Sequence, residues 1–469
     1  MGRFITPLLT VTLTLLAATG LDWDAELTWH DQHRIEQIGL LSVLTFGALT
    51  LWRQDIVASV IRLPRWVVIA IVWVLGVGLV SVMTAHYPRF AALEWATLLL
   101  LLGLVLLLGA QARQASRTFD IWAMRLFVAL AVVIALKIMA GYLAAVVVMK
   151  HIDSIMLFEG TFSNRRFFGQ VASMLVPLLA YPLLCGKLSK RARVAVFALL
   201  AVWWMLVIVS GTRGTWAALL LASVILALWA WRAVWPWLKL QLGAFSLGAL
   251  LFLVLFVWLP WLIGQDASIE GRLSNLSALN GRAELWTLAW AQMQEHPWLG
   301  IGPMHLAAIR NNFGAHPHNA ALQMAAEWGV PAALALILPA MAGMLHLLAR
   351  LRQREVAPSV LLVCLTTSLL AAGVQSMVDG VIVIPYTQTL LALVAGWSLG
   401  VYFRDVVETS VISASHMMRL VIPVVSILAL AALLNGVFPE ALNRVEVTQA
   451  YVDAGKLIPP RYWGVGWIP

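Results

Sequence analysis

The stretch Ala315-His316-Pro317-His318-Asn319 carries two histidines where a long connecting segment gives way to an apolar run. A helix that starts here would direct the positive end of its dipole at the imidazoles. That field lowers the pKa of a histidine, which leaves a neutral ring able to act as a general base. The alternative is that His316 or His318 only caps the helix or contacts lipid headgroups.

Polar residues then recur every four positions, at Asn319, Gln323 and Glu327, so they should line one face of that helix. A carboxylate inside a membrane span is costly, and it is a functional hypothesis by default. An equally good interpretation is that Glu327 holds Gln323 or another helix in place.

An arginine on the outer side of a membrane opposes the usual distribution of positive charge. The turn Ser210-Gly211-Thr212-Arg213-Gly214-Thr215 places Arg213 between two otherwise uncharged apolar runs. A guanidinium group binds two phosphate oxygens at once, so an anion is the expected partner. A snorkelling arginine with its charge among the headgroups is the alternative.

The motif Gly281-Arg282-Ala283-Glu284-Leu285-Trp286 places Arg282 at the start of an amphipathic helix predicted over residues 281–294 and expected to rest at the lipid headgroups. There Arg282 could close over a lipid-anchored diphosphate; a weak surface pair with Glu284 or Glu270 is the modest alternative. Two further residues on the same predicted side, Arg166 and Asp379, are secondary candidates.

A bound metal ion is an alternative to these cations. The acidic pair Asp22-Trp23-Asp24 has the form by which some enzymes hold a divalent ion. Short acidic patterns in loops are usually only solvated, and fixed arginines can neutralise a diphosphate without an ion. The two cysteines, Cys185 and Cys364, lie in or beside apolar runs and do not indicate a disulfide framework or a thiolate cage. We expect neither a bound metal nor a cofactor.

The elements that must position these residues are membrane helices. Of 469 residues, 62% are hydrophobic and 11% are charged, with a mean hydropathy of +0.88, which excludes a water-soluble fold. Apolar runs of about 17 to 25 residues must form helices, which satisfy their own backbone groups in lipid. The fold class is therefore all-α: a polytopic membrane helical bundle of about twelve transmembrane helices, possibly with a thirteenth. The predicted spans are roughly 4–20, 37–52, 66–84, 90–110, 119–147, 167–185, 194–210, 215–231, 240–264, 319–349, 359–378, 387–403 and 419–436.

These spans divide the chain into four parts. Nine of them occupy residues 1–264, a large outer loop with interfacial helices covers 265–318, more spans follow over 319–436, and a tail covers 437–469. The net charge of +9 is spread over short loop clusters on one side, which predicts a cytoplasmic N-terminus and does not indicate nucleic acid. The loops with the candidate residues then face outward.

Taken together, the motifs Ser-Gly-Thr-Arg-Gly, Gly-Arg-x-x-x-Trp, His-Pro-x-x-Gly-x-Gly and His-x-His-Asn-x-x-Leu-Gln resemble the O-antigen ligase and polymerase superfamily. The resemblance covers roughly residues 166–329. It implies a glycosyltransferase of the bacterial inner membrane whose active site faces the periplasm. It also implies that an undecaprenyl-diphosphate-linked glycan, the O-antigen, is moved without nucleotide sugar, ATP or metal.

For the ligase branch the implied acceptor is lipid A-core. The resemblance assigns the diphosphate to Arg213 and Arg282, and the deprotonation of the acceptor hydroxyl to His318. His318 is preferred to His316 because it directly precedes the Asn-x-x-Leu-Gln run. The implied reaction is a single displacement that inverts the anomeric carbon.

Three alternatives remain. An O-antigen polymerase would use a second lipid-linked glycan as acceptor, and a protein O-oligosaccharyltransferase would use Ser or Thr of an exported protein. The latter branch often carries a soluble C-terminal domain, and the short tail from Phe438 favours the ligase. A transporter or flippase would also place polar residues within spans, but those residues should lie near the midplane rather than at one side.

Overall fold

The structure is a computed structural model that describes residues 2–20, 29–51, 53–149, 151–153, 156–162, 164–186, 188–268, 281–353, 359–404 and 416–441, with residues 446 and 449. The acidic pair Asp22 and Asp24, part of the predicted outer loop (269–280) and nearly all of the tail lie outside the described residues.

The described chain is dominated by helices, as the apolar runs predicted. The α-helices are α1 (Gly2–Gly20), α2 (Trp29–Thr50), α3 (Arg53–Arg62), α4 (Arg65–Thr84), α5 (Pro88–Ala144), α6 (Met156–Phe162), α7 (Arg165–Leu179), α8 (Tyr181–Leu184), α9 (Lys190–Ser210), α10 (Arg213–Phe252), α11 (Leu259–Leu262), α12 (Arg282–Glu295), α13 (Ala320–Trp328), α14 (Val330–Arg352), α15 (Val360–Ser376), α16 (Pro385–Arg404) and α17 (His416–Ala441). Wider π-type turns extend α5 over Ala145–Met149 and α10 over Leu253–Trp258, and His305–Ala308 forms a 3-10 turn.

Within the described residues, 7 helices are long and apolar enough to cross a membrane, and two shorter apolar helices accompany them. This supports an all-helical membrane protein. The exact number of twelve or thirteen crossings stays a prediction.

Two of the long helices are bent where the sequence predicted loops. Pro88–Val148 has 61 residues and Arg213–Leu262 has 50, whereas about 20 residues cross a bilayer core. Ser116 in the first and Ala230 in the second have non-helical backbone angles. Each bend lies at or near the predicted connection between two spans, and each segment is long enough for two crossings.

The predicted span 319–349 is divided in two by Gly329. Its backbone (φ 85°, ψ 156°) ends α13 and starts α14 in a region that favours glycine. A Cβ at this position would lie 2.2 Å from the carbonyl oxygen of Trp298, so the loop after α12 packs directly on the break. The backbone bonds Val330 N to Pro297 O (2.8 Å) and Gly302 N to Glu327 O (3.0 Å) join the two segments.

The helix predicted over residues 281–294 is confirmed as α12, but its apolar side faces protein. Ala289 is buried in a small core with Leu306 and Ala326, and Leu288 and Met293 pack around that core. The expectation that this face rests on lipid headgroups is therefore replaced by packing against α13 and the 3-10 turn.

A short parallel strand pair adds to the helical fold. β1 (His151–Asp153) pairs with β2 (Asp266–Ser268), with His151 opposite Asp266. The sequence did not predict it, since three-residue strands leave almost no pattern. It joins the end of the α5 segment to the connection that follows α11.

Gly329→Ala should destabilise the protein because alanine is strained at this backbone conformation and its Cβ would meet Trp298. Such strain alone costs about 1–3 kcal/mol. We expect a lower midpoint of thermal unfolding in detergent, followed by tryptophan fluorescence. Gly343→Ala is the matched control: Gly343 lies on α14 with nothing within 4 Å of an added Cβ. Equal midpoints for the two variants would contradict this account.

Candidate functional site

His318 lies in the short connection just before α13. Its backbone is left-handed (φ 52°), which is unusual for a residue other than glycine. Its ring atom Nδ1 is buried without a hydrogen-bond partner and lies 3.8 Å from Oδ1 of Asp379. That distance is longer than a hydrogen bond, so the imidazole and the carboxylate are close neighbours that are not hydrogen-bonded to each other.

Asp379 is held by three donors in the turn that follows α15. Oδ1 accepts hydrogen bonds from the Gln170 amide (3.0 Å) and from the backbone N–H of Gly380 (2.8 Å). Oδ2 accepts a longer bond from the Gln375 amide (3.4 Å). Burial raises the pKa of Asp379, whereas these bonds and the charge of Arg166 act in the opposite direction. The three donors fix the orientation of the carboxylate toward His318.

Arg166 and Arg282 act on this pair, and Arg213 acts on Arg282. Burial lowers the pKa of Arg282, and the positive charges of Arg166 and Arg213 lower it further, while the charge of Asp379 raises it. An arginine stays protonated at physiological pH, so three cations and one carboxyl group share a small volume. Arg213 and Arg282 were the predicted anion-binding residues and Arg166 was a secondary candidate; the structure brings all three together.

Burial and two of these charges keep His318 neutral. Burial, followed by the charges of Arg166 and Arg282, lowers the pKa of His318 to about 3. The contact with Asp379 is therefore between a carboxyl group and a neutral ring, and it is not an ion pair. A neutral imidazole can accept a proton, which is the protonation state that a general base needs.

The turn at Arg213 is positioned by small residues and hydroxyl groups. Gly211 is left-handed (φ 56°), and α10 begins at Arg213. The Thr212 hydroxyl donates to the Thr215 hydroxyl (3.0 Å), which also accepts a bond from the Gln375 amide (3.1 Å). Gln375 therefore connects the arginine turn to Asp379.

A close approach between α7 and this turn also depends on glycine. A Cβ at Gly169 would lie 2.3 Å from the Thr215 hydroxyl oxygen. Because Gly169 precedes Gln170, the contact seats the α7 end that carries Arg166 and Gln170 against the start of α10.

The segment before His318 is tied to α12. Trp286 donates its indole N–H to the carbonyl oxygen of Pro317 (2.8 Å). Gly281, at the start of α12, is left-handed and packs against Phe313. A Cβ at Gly314 would lie 4.0 Å from Nε2 of His318, so the absence of a side chain at this position leaves space beside that nitrogen.

His316 has a different environment from His318. Its Nδ1 accepts a hydrogen bond from the backbone N–H of His318 (3.3 Å), and the two rings lie 4.1 Å apart. Its ring also packs over Gly380, where a Cβ would lie 2.8 Å from Cε1. His316 therefore shapes the backbone of its neighbour.

The polar residues at positions 319, 323 and 327 make contacts that stabilise α13 and its neighbours. Asn319 caps the helix by accepting a bond from the Leu322 N–H (2.9 Å). Gln323 is buried, and Glu327 is fully buried and accepts a bond from the Leu306 N–H (3.0 Å). These contacts agree with the structural interpretation of Glu327.

Sequence reasoning missed the residues that orient the carboxylate. Gln170 and Gln375 are fully buried, and each lies within a predicted span. A polar amide inside an apolar run is the signal that could have identified them, because such groups need internal partners in lipid.

Within the described residues, no group of three or more His, Cys, Asp or Glu side chains is arranged to hold a metal ion. The predicted metal alternative, Asp22 and Asp24, lies outside those residues. The cluster of arginines is suited to an anion with two or more negative charges, such as a diphosphate, because guanidinium groups pair bidentately with phosphate oxygens.

A family model described as O-antigen ligase matches residues 195–337. This segment contains Arg213, Arg282 and His318, and it supports a place in the O-antigen ligase and polymerase superfamily. It does not distinguish a ligase from a polymerase. Arg166 and Asp379 lie outside the matched segment, and it is the fold that brings them to the other three. A search of curated proteins gave no match.

Inorganic pyrophosphate should bind the cluster of Arg166, Arg213 and Arg282. A hydrogen bond to a charged group contributes about 1.5–3 kcal/mol, so replacing any one of the three by glutamine should weaken binding about tenfold or more. Isothermal titration calorimetry in detergent at fixed ionic strength measures this. Arg310→Gln, an exposed arginine in the loop before the histidines, is the control and should bind like the wild type. Equal losses in the control and the cluster variants would refute a specific anion site.

Proposed function

We propose that the protein transfers a glycan from an undecaprenyl-diphosphate carrier onto an acceptor hydroxyl, with the active site at the periplasmic face of the inner membrane. The observation that carries the proposal is the meeting of a neutral, half-buried imidazole with the guanidinium groups of Arg166 and Arg282, with Arg213 acting on Arg282. A base and an anion-binding cluster are the two elements that such a displacement needs.

In the proposed step, Nε2 of His318 accepts the proton of the acceptor hydroxyl. The hydroxyl oxygen attacks the anomeric carbon, and the bond from that carbon to the diphosphate oxygen breaks. The carrier diphosphate leaves with the bonding electron pair. A single displacement inverts the configuration at the anomeric carbon.

The arginines stabilise the leaving group. Negative charge grows on the diphosphate as the bond breaks, and Arg213 and Arg282, with Arg166 beside them, are fixed where they can neutralise it. Preorganised cations perform this task in place of a divalent ion, so the proposed reaction needs no metal.

Asp379 is assigned the orientation of His318. With its carboxyl group facing Nδ1 at 3.8 Å, a small closure would let Nδ1–H donate to it. That bond would place the lone pair on Nε2, and catalytic hydrogen bonds often shorten when substrate binds. It would also stabilise the imidazolium that forms when the proton is taken.

We propose lipid A-core as the acceptor, following the ligase branch of the superfamily. A second lipid-linked glycan or a protein hydroxyl would use the same donor site and the same base. The acceptor therefore has to be decided by experiment.

His318→Ala should reduce transfer by about 100-fold or more, since general base catalysis contributes about 10²–10⁴. Asp379→Asn should reduce it less and leave the unfolding midpoint near that of the wild type, because asparagine retains the shape and one acceptor oxygen. The assay incubates purified protein with lipid-linked O-antigen and lipid A-core, without nucleotide, and detects capped product on a gel.

Glu295→Gln, an exposed carboxylate at the end of α12, is the control for the loss of a negative charge and should remain fully active. Full activity of His318→Ala would exclude it as the base. Product formed only on a second carrier-linked glycan would assign the protein to the polymerases.

The pH dependence of kcat/KM and of kcat should differ. In the free protein His318, with a pKa of about 3 instead of 6.5, stays neutral, so kcat/KM should show no acid limb from this group between about pH 5 and 8. Bound diphosphate opposes the arginine charges and raises the pKa of His318. The acid limb of kcat should therefore lie at higher pH than that of kcat/KM.

Arg166→Gln tests the cause of this difference. Removing one positive charge should raise the pKa of His318 in the free protein and move the acid limb of kcat/KM upward. Two coincident limbs near the ordinary histidine value, in both the wild type and this variant, would contradict the assignment.

A further inference from the structure

The turn at residues 380–385 directly follows Asp379 and ends at the first residue of α16. Side chains bind most of its carbonyl oxygens. The Thr387 hydroxyl contacts the carbonyl oxygens of Val381 (3.0 Å) and Ile384 (3.0 Å). The Gln388 amide donates to the carbonyl oxygen of Ile382 (2.7 Å). A turn without regular structure, buried in an apolar bundle, needs such partners for its carbonyl groups.

The carbonyl groups of Val383 and Pro385 are also bound from a distant helix, and Pro385 accepts a further bond from the Thr389 hydroxyl (3.0 Å) on α16. Arg34 on α2 donates from Nη2 to the carbonyl oxygen of Val383 (3.1 Å), although the two residues are 349 positions apart. Gln37, one helical turn later, donates to the carbonyl oxygen of Pro385 (3.0 Å). The side chains of Arg34 and Gln37 are 2% and 3% exposed, so both lie in the interior.

Arg34 also organises its polar neighbours. Its Nη1 donates to the side-chain oxygens of Gln37 (2.9 Å) and Gln388 (3.3 Å). Gln37 donates to the same oxygen of Gln388 (3.0 Å), and together these bonds orient the amide N–H of Gln388 toward Ile382. One guanidinium fork thus controls two further side chains and one backbone carbonyl of the turn.

The turn is coupled to the carboxylate by two routes. Gly380 donates its backbone N–H to Asp379, and the carbonyl oxygen of Gly380 accepts bonds from the N–H groups of Val383 (2.9 Å) and Ile384 (3.2 Å). Thr387 contacts the Gln170 side-chain oxygen (3.1 Å), and Gln170 donates to Asp379.

We propose that Arg34 is a positioning residue for the transfer reaction: by holding the turn at residues 380–385, it keeps Asp379 facing His318. The inference rests on the proposed function. Arg34 acts through the turn and has no contact with substrate in this assignment. Arg34 and Gln37 on α2 therefore support a site whose charged groups lie later in the chain.

Arg34→Lys should lower kcat about tenfold to a hundredfold, because a shift of about 1 Å at a catalytic group has an effect of this size. Lysine keeps the charge but has no planar fork, so it cannot bind Val383, Gln37 and Gln388 together. KM for the lipid-linked donor should stay within about twofold, since the arginines that bind the diphosphate are unaffected.

Hydrogen exchange followed by mass spectrometry gives a readout that does not depend on activity. The backbone N–H groups of Val383, Ile384 and Gln388 are bonded within and next to the turn, and they should exchange faster in Arg34→Lys. Exchange in α12, which carries Arg282, should not change. If Arg34→Lys does not fold, Gln388→Met removes one arm of the same network and should show both effects in smaller size.

Arg404→Lys is the matched control. Arg404 also binds backbone carbonyl groups, those of Ala112 and Ser116, but at the other end of the 20-residue helix α16, about 30 Å away. It should accelerate exchange around Ser116 and leave kcat unchanged.

The positioning role is overturned if kcat is unchanged in Arg34→Lys or if the loss is confined to KM. It is also overturned if Arg404→Lys loses as much kcat. Wild-type protein that is inactive with all three acceptors would overturn the proposed function instead. In that case, faster exchange in the turn would still support its fixation by Arg34, and unchanged exchange would refute it.

Discussion

The crowding of positive charge at one end of the bundle is the constraint on which the rest of the structure depends. Two unit charges 4 Å apart repel each other by about 4 kcal/mol at an effective dielectric constant of 20. The charges of Arg166 and Arg213 both lower the pKa of Arg282, and the charge of Asp379 opposes them. Without a bound anion, the repulsion between these arginines costs free energy. Neighbouring packing and hydrogen bonds therefore have to hold them in place.

That enforcement comes from close approaches that only glycine allows and from amide side chains. Gly169 lets α7 contact the threonines at the start of α10. Gln375 then bridges Thr215 and Asp379, and Gln170 binds the same carboxylate from α7. Each of these groups is buried, so its hydrogen bonds cannot be exchanged for bonds to water without a penalty. The network is therefore rigid where the charges are densest.

Much of this arrangement could be predicted from the sequence. Run length and composition predicted helices, and the arginines and paired histidines beside apolar runs made Arg213, Arg282 and His318 candidates, which the structure brings near one another. The helix at α12 was also predicted, because apolar residues recur at helical spacing. These signals are local, and each can be read within one segment of the chain.

What could not be predicted depends on contacts between distant segments. The two glutamines at Asp379 were missed because one polar residue in an apolar run does not indicate its partner. The face of α12 was assigned to lipid because periodicity gives an apolar face without saying what covers it. The break at Gly329 was overlooked because a single glycine in an apolar run is compatible with a continuous span, and its conformation is imposed by packing against Trp298.

The pairing of Gln170 with Asp379 spans 209 positions and has a consequence for biosynthesis. Helices enter the membrane in the order in which the ribosome delivers them, so Arg166 and Arg213 are inserted long before their opposing carboxylate is translated. During that interval the cations lack this opposing carboxylate. The contact between Gln170 and Asp379 forms only after the turn that follows α15 has been made, so a product that terminates before Asp379 would hold the cations without the carboxylate that opposes them.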